Sequence, residues 1–247
     1  MAVFLLAGSA ADPGALFALY AQGRYQEAMD RGEAGGTGAG MAIAARAALA
    51  DAMMAPSPCL PCLRRGEKDA RRAITLDPRL ADGHVWLAAS LGYEARIQGV
   101  VWASLRDAPD EAKIELERAL ALDPVNPYAL AALGGWHTEV VRVAGRYLAR
   151  RLFDASSEQA VALFDHAVRA DPRNVAVHYQ IALALAGLNQ AAYRTRVKSE
   201  LEAAAADPPQ TAYEKFIAAR ARILLQLLES EDRDAFRTKL RAFQGYP

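Results

Sequence analysis

Two cysteines are the first residues in the chain whose types and spacing could support chemistry. Cys59 and Cys62, the only cysteines, are spaced C-x-x-C, as in structural zinc sites, thioredoxin-type redox centres and haem-attachment motifs. Zinc needs four ligands, and no second C-x-x-C or nearby His pair completes the set. Leu63 stands where haem attachment requires His, and the surroundings lack the βαβ pattern of a thioredoxin-type centre. The pair is therefore a disulfide or two ordinary thiols, and we expect no metal site and no cofactor.

The sequence around the cysteine pair, together with the N-terminal residues, indicates the cellular compartment of the protein. Pro56 and Pro58 end one helical segment, so the pair lies in a turn before the next helix, where a disulfide persists only in an oxidising compartment. Residues 1–10, MAVFLLAGSA, resemble the end of a secretory signal peptide without its basic region. We therefore predict a signal-peptide remnant at 1–10, a single domain at 11–247, and an exported protein of the bacterial periplasm, with a cytoplasmic protein as the alternative.

The four histidines do not form a recognisable catalytic motif. His137 and Glu139 are two residues apart, so on a helix they point to different sides. His84 and His178 each stand six residues after a proline, and this matching phase predicts a role in packing. No G-x-S-x-G, P-loop or dinucleotide-binding turn occurs. We therefore predict that the protein is not an enzyme.

Composition narrows the class of protein further. Lys and Arg together number 29, as do Asp and Glu, so the formal net charge is zero. This balance argues against a nucleic-acid partner, which would require a basic excess. No apolar run reaches the roughly 18 residues that span a bilayer, so we expect no stable membrane insertion. The chain is rich in Ala and poor in β-branched runs, which predicts an all-α fold.

An Asp-Pro pair ends four Ala-rich helical segments in succession. Proline cannot continue a helix, so each pair marks a helix end and the turn that follows. An alanine stands five residues before each proline. The pairs are Asp77-Pro78, Asp123-Pro124, Asp171-Pro172 and Asp207-Pro208, and the alanines are Ala73, Ala119, Ala167 and Ala203.

These phased positions, with LGGW at 133–136 and LYAQGRYQEA at 19–28, make the chain resemble tetratricopeptide repeat (TPR) proteins. The resemblance implies a TPR-like α-solenoid of antiparallel helix pairs, in which the first helix of each pair lines the concave side. A standard repeat takes about 34 residues, and two intervals here are longer. We therefore predict an all-α solenoid with elongated central repeats.

A narrower resemblance rests on five residues of one repeat. The stretch is similar to the regulator of microtubule dynamics family, in which a Leu-Gly-x-Trp stretch is followed by an acidic residue and valine. The chain is also similar in style to the TPR-like periplasmic component associated with some TRAP transporters. The residues that carry the first resemblance are Leu133, Gly134, Trp136, Glu139 and Val140.

TPR phasing also predicts which residues face the concave groove. Tyrosine, acid and arginine side chains there could contact a peptide or small ligand; alternatively they are core residues, and Glu139 with Arg142 is only a surface pair. The groove candidates are Tyr93, Tyr128, His137, Thr138, Glu139, Arg142 and Tyr179. Trp86, Trp102 and Trp136 could line an apolar pocket or anchor the core.

Two functions follow as expectations. The first is a scaffold that binds a protein or peptide partner in its concave groove. The alternative is a periplasmic small-ligand carrier or transporter accessory protein, with a small apolar ligand in a cavity lined by the long central helices.

Three local structures are also predicted, a long helix, a helix cap and a glycine-rich loop. Residues 128–153 read as one long helix. Ser156 is expected to cap the next helix, with Gln159 reaching back to it. The glycine-rich stretch 32–40 is expected to be a flexible loop between helices.

Overall fold

The computed structural model describes residues 12–57 and 59–246, which form thirteen helices and no strand. The all-α prediction is therefore confirmed, while the possible signal-peptide remnant at 1–10 lies outside the described residues. The helices are α1 (Pro13–Ala21), α2 (Tyr25–Gly35), α3 (Gly38–Met54), α4 (Leu60–Leu76), α5 (Ala81–Gln98), α6 (Val100–Leu105), α7 (Ala108–Leu122), α8 (Pro127–Phe153), α9 (Ser157–Ala170), α10 (Val175–Asn189), α11 (Arg194–Ala206), α12 (Ala212–Glu229) and α13 (Arg233–Phe243).

The helices pack as successive pairs in a solenoid-like arrangement. Each helix contacts the next along the chain, and α3, α5, α8, α10 and α12 also contact one another in that order. Helix α12 in turn contacts α1 and α3, so the last pair meets the first. The five inner helices therefore form a closed ring rather than an open groove, and the remaining helices of the pairs lie outside them.

The Asp-Pro pairs end helices as predicted. Helices α4, α7, α9 and α11 stop immediately before the aspartate, whose backbone N–H donates to the carbonyl of the phased alanine four residues earlier. Ala73, Ala119 and Ala167 are fully buried, so neighbouring helices approach closely there. In the fourth repeat Ala204 is the buried residue and Ala203 is partly exposed. The contact surface of α11 has therefore shifted by one residue.

Two buried His–Glu pairs recur at matching places in the solenoid. Nδ1 of His84 lies 2.5 Å from Oε2 of Glu115, and Nδ1 of His178 lies 2.5 Å from Oε2 of Glu200. Nε2 of each ring faces the proline carbonyl of the preceding turn, at 3.2 and 3.0 Å. Both ring nitrogens of His178 face acceptors, which suits the protonated imidazole. Burial lowers the pKa of His178, but Glu200 and the carbonyl raise it above its ordinary value.

Two buried carboxyl side chains, Asp69 and Glu94, have oxygen atoms that accept no hydrogen bond from the rest of the described structure. Neither oxygen of Asp69 nor Oε1 of Glu94 has a partner, and both residues are at most 1% exposed. Burial and the neighbouring Glu33 raise the pKa of Asp69 to about 7, against the effect of Arg65. Burial also raises the pKa of Glu94 to about 7. Both groups therefore titrate near neutrality.

Helix α8 departs from the single straight helix expected for 128–153. Gly145 has φ 77° and ψ 157°, which divides α8 into two helical segments. A positive φ of this size strains residues that carry a Cβ, so glycine suits the kink. The next helix begins as predicted, since Ser156 Oγ accepts from the backbone N–H of Gln159 at 3.1 Å. The Gln159 side chain accepts from the Ser156 hydroxyl instead of from its backbone.

The glycine-rich stretch 32–40 is not a flexible loop, and that prediction is wrong. It forms the end of α2, a short turn at Gly36 and Thr37, and the start of α3. A Cβ on Gly32 would lie 2.5 Å from the carbonyl oxygen of Gly40. The glycines therefore allow the two helix backbones to approach closely.

The extra length of the central repeats lies in α6 and in the part of α8 after Gly145. These segments leave large apolar side chains exposed, among them Val101, Leu105, Tyr147 and Leu152, which are 67–81% accessible. Within the described ranges, no helix combines the length and apolar character needed to cross a bilayer.

Candidate binding cavity

The ring of inner helices surrounds a cavity of about 740 Å³. This volume lies within the range typical of small-molecule sites. The wall is mainly apolar because the inner helices present Ala, Val and Leu side chains to it, including Leu49, Val85, Leu91, Ala131 and Leu183. Polar side chains lie around Arg46, beside the C-terminal segment, and near α6 and α7, where Gln98, Ser104, Asp107 and Asp110 line the cavity.

Five of the seven groove candidates line the cavity. They are Tyr93, Tyr128, Thr138, Glu139 and Arg142. The Tyr93 hydroxyl accepts from Nε2 of Gln180 at 3.0 Å, which links α5 to α10. The Thr138 hydroxyl donates to its own helix at 2.8 Å. That any of these residues binds a ligand stays a prediction.

His137 and Tyr179 are buried but do not line the cavity. The His137 ring makes an edge-on contact with Trp136, with ring centroids 5.2 Å apart. Burial and then Lys113 lower the pKa of His137. Tyr179 is 1% exposed and belongs to the core of the C-terminal half. Both residues therefore have surroundings typical of packing positions.

Among the tryptophans, Trp86 and Trp136 are both buried and both line the cavity. They therefore combine the two roles that the sequence left open. Nε1 of Trp136 donates to the carbonyl of Pro109 at 2.7 Å, which fixes its ring against α7. The side chain of Trp102 lies outside what the structure describes.

Arg46 is a cavity residue that the sequence reading missed. Its guanidinium carbon lies 5.3 Å from the ring centroid of Phe17, 4.6 Å from Tyr20, 5.0 Å from Trp86 and 5.1 Å from Tyr128. Nη2 donates to the Tyr128 hydroxyl at 3.0 Å. The available signal was a lone arginine in the otherwise Ala-rich run GAGMAIAARAALADAMM of α3, where every neighbour on the helix is apolar.

The C-terminal segment covers another part of the cavity wall. The Tyr246 hydroxyl donates to Oε1 of Glu139 at 2.6 Å and accepts from Nη2 of Arg142 at 2.9 Å. Nε2 of Gln244 donates to the carbonyl of Leu183 at 2.8 Å. The segment is therefore tied to both α8 and α10. Glu139 and Arg142 therefore hold the C-terminal segment as well as each other, so the alternative that they form only a surface pair is wrong.

The charges of this cluster are mutually compensated. Burial would raise the pKa of Glu139, but Arg142, Arg96 and the Tyr246 hydroxyl together hold it below its ordinary value. Nη2 of Arg142 lies 2.6 Å from Oε1 of Glu139, and Nε lies 3.1 Å from Oε2. Glu139 is therefore a carboxylate at neutral pH, paired in the bidentate geometry that makes such contacts strong.

Nearly all of the inner-helix ring lies in the part of the sequence that matches a known protein family. Residues 42–229 match the family described as regulator of microtubule dynamics protein 1-3, a span that runs from within α3 to the last residue of α12. This chain belongs to the regulator of microtubule dynamics family. A search of curated proteins returned no match. The narrower resemblance drawn from the LGGW stretch is thus confirmed, while the TPR resemblance stays a prediction.

In this family member the glycine of that stretch, Gly134, has a clear role in helix packing. A Cβ on Gly134 would lie 2.4 Å from Cε1 of Phe164, far inside van der Waals contact. Phe164 is 1% exposed and packs between α8 and α9. The absence of a side chain at Gly134 therefore seats the Phe164 ring and fixes how α9 lies on the ring helix α8.

The cysteine pair lies away from the cavity in this family member. Cys59 and Cys62 are joined by a disulfide, with their Cα atoms 5.3 Å apart. The prediction that both cysteines lie in the turn before the helix is wrong for Cys62, because α4 begins at Leu60 and the bond spans its first turn. Sγ of Cys59 also accepts from the backbone N–H of Cys62 at 3.3 Å. Across the described ranges, no cluster of three His, Cys, Asp or Glu side chains could hold a metal ion.

Proposed function

We propose that the protein is a non-enzymatic carrier that binds a small, largely apolar molecule inside the ring of inner helices. The observation that carries this proposal is the cavity of about 740 Å³ with mainly apolar walls. A ligand that fills such a space gains the free energy of removing its apolar surface from water, roughly 25 cal/mol per Å². The closure of the ring by α12 against α1 and α3 favours a small molecule over an extended peptide.

The C-terminal segment would control access in this proposal. Gln244 and Tyr246 are held to the wall by a few hydrogen bonds, whereas the ring helices are held by packed cores. Release of this segment therefore costs less than opening the ring. Ligand exchange through this side requires no unfolding of the solenoid.

Native mass spectrometry of protein purified from its own host tests the proposal, together with binding of a neutral solvatochromic dye such as Nile red. Ala132 lines the cavity, so Ala132→Trp should fill part of it and abolish dye binding. Ala121→Trp, at an exposed position of α7, is the matched control and should bind dye normally. A protein that retains no small molecule and binds no dye would refute the carrier proposal.

A scaffold that binds a protein partner is the second candidate. It is supported by the exposed apolar side chains of α6 and of α8 after Gly145, including Leu105 and Tyr147. The family description names microtubule dynamics, which also suggests a role through protein contacts. A stoichiometric protein partner and no small molecule in the same mass spectra would favour the scaffold over the carrier.

We also propose that the protein is exported to an oxidising compartment. The support is the Cys59–Cys62 disulfide, because such bonds are rare where glutathione keeps thiols reduced. Alkylation of protein isolated from its host under acid quench should leave both cysteines unmodified until a reductant is added. Immediate alkylation of both thiols would contradict export.

A further inference from the structure

Arg46 is a cation without a described counter-ion at one end of the cavity. It extends from α3, and in residues 12–57 and 59–246 no carboxylate forms an ion pair with it. Its Nη2 donates to the Tyr128 hydroxyl, the Tyr20 hydroxyl is a further hydrogen-bond partner, and its Nε has no partner. Arginine stays protonated under all ordinary conditions. The positive charge therefore persists beside an apolar space.

Tyr20, Tyr128 and Asp82 favour this charge against the effect of burial. The four ring faces around the guanidinium attract it, by about 0.5–2 kcal/mol each in general. A charge removed from water loses far more solvation than this unless it is paired and hydrogen-bonded. Asp82 acts on Arg46 from beyond ion-pair distance, and burial raises the pKa of Asp82 against the effect of Arg46. Because no carboxylate of the described residues contacts the guanidinium directly, a ligand anion at this end of the cavity would be its direct ion-pair partner.

We infer that Arg46 binds the carboxylate of an amphipathic ligand whose apolar chain occupies the rest of the cavity. This inference rests on the proposed carrier function and names the ligand class. The planar guanidinium fits a carboxylate in a fork-like geometry, and the phenol of Tyr128 lies at the same place to order the head group. One guanidinium matches one carboxylate, whereas a doubly charged phosphate would bring excess negative charge into an apolar site.

The cavity is long enough for an acyl chain. Trp86 beside Arg46 and Gln98 at the far end of α5 both line it, and their separation of twelve positions corresponds to about 18 Å of helix. The walls between these points are formed by side chains such as Leu91 and Ala132. A fatty acid of medium or long chain therefore satisfies both the charge at Arg46 and the apolar wall.

Competition against bound Nile red tests the inference with two probes of equal chain length, tetradecanoic acid and tetradecanol. A charge-assisted hydrogen bond should make the acid bind about 10- to 100-fold more tightly than the alcohol to the wild-type protein. Arg46→Met keeps the apolar stem and removes the charge, so it should abolish this preference while alcohol binding persists. Arg31→Met, on the exposed side of α2, is the matched control and should preserve the preference.

The outcomes separate the inference from the carrier proposal. Equal binding of acid and alcohol by the wild-type protein overturns the inference and leaves the carrier standing. An acid preference that survives Arg46→Met also overturns it, because the charge then acts from elsewhere. Failure to bind the dye and both probes refutes the carrier itself. If Arg46→Met does not fold, Arg46→Gln replaces it with the same expected loss of preference and the same refuting result.

Discussion

Replacement of Asp69 by asparagine should stabilise the protein, and more so at alkaline than at acid pH. The Asp69 side chain is fully buried in α4, and neither oxygen has a hydrogen-bond partner. Burial and Glu33 raise its pKa to about 7. Asparagine has nearly the same shape as the protonated acid, so it removes the cost of ionisation without leaving a cavity.

The magnitude follows from the difference between folded and unfolded pKa values. An unfolded aspartate has a pKa of about 3.9, and at 1.36 kcal/mol per pH unit the interval up to about 7 corresponds to about 4 kcal/mol. Because the folded value is the higher one, the stabilising contribution is complete below about pH 4 and is lost as pH rises to about 7. Between about pH 5 and pH 8 the loss amounts to about 2–3 kcal/mol.

Urea denaturation at these two pH values measures the effect. The gain in unfolding free energy for Asp69→Asn should be larger at pH 8 than at pH 5 by about 2–3 kcal/mol. Glu117→Gln, an exposed carboxyl on α7, is the control and should change stability by less than about 0.5 kcal/mol at either pH. An Asp69→Asn effect that is equal at both values would show that the carboxyl is ionised throughout, and would refute the reasoning.

Three further predictions concern packing, charge and access. Gly134→Ala should lower the unfolding free energy by about 1–3 kcal/mol, because its Cβ would overlap Phe164; an unchanged thermal midpoint would show that the ring can move aside. The His178–Glu200 pair, in which the histidine pKa is raised, should stabilise the fold below about pH 6.5 and lose this contribution as pH rises through the folded value. His178→Gln should therefore flatten the pH dependence of stability on the alkaline side, and an unaltered curve would contradict a protonated ring. Tyr246→Ala should accelerate dissociation of Nile red in stopped flow without changing the melting temperature by more than a few degrees; an unchanged rate would place access elsewhere.

Local features of the fold followed from the sequence, whereas the shape of the ring did not. The Asp-Pro turns, the start of the helix at Ser156 and the turn that holds Cys59 depend on nearby residues, so spacing alone predicts them. Contact of α12 with α3 depends on curvature that accumulates over the whole solenoid. That curvature is the sum of many small rotations between successive helix pairs, and no local sequence pattern encodes the sum.

The residues of the cavity were likewise predicted only in part. TPR phasing predicted Tyr93 and Tyr128, which the inner helices place at the cavity wall. It missed Arg46, because the arginine and the four surrounding rings come from α1, α3, α5 and α8 and meet only across the ring. It also missed Tyr246, which returns to α8 from the far end of the chain. Contacts between residues so distant in sequence leave no periodic signal.

Closure of the ring changes how the protein should fold and unfold. In an open solenoid each repeat contacts only its neighbours, so stability is nearly a sum of local contributions and the ends fray independently. Here α12 contacts α1 and α3, and a Cβ added to Gly23 would lie 3.0 Å from Cβ of Ala212. Loss of structure at one terminus therefore removes the support of the other. Amides of α3 and α12 should consequently exchange with solvent hydrogen in a single cooperative event, as they do in a globular domain.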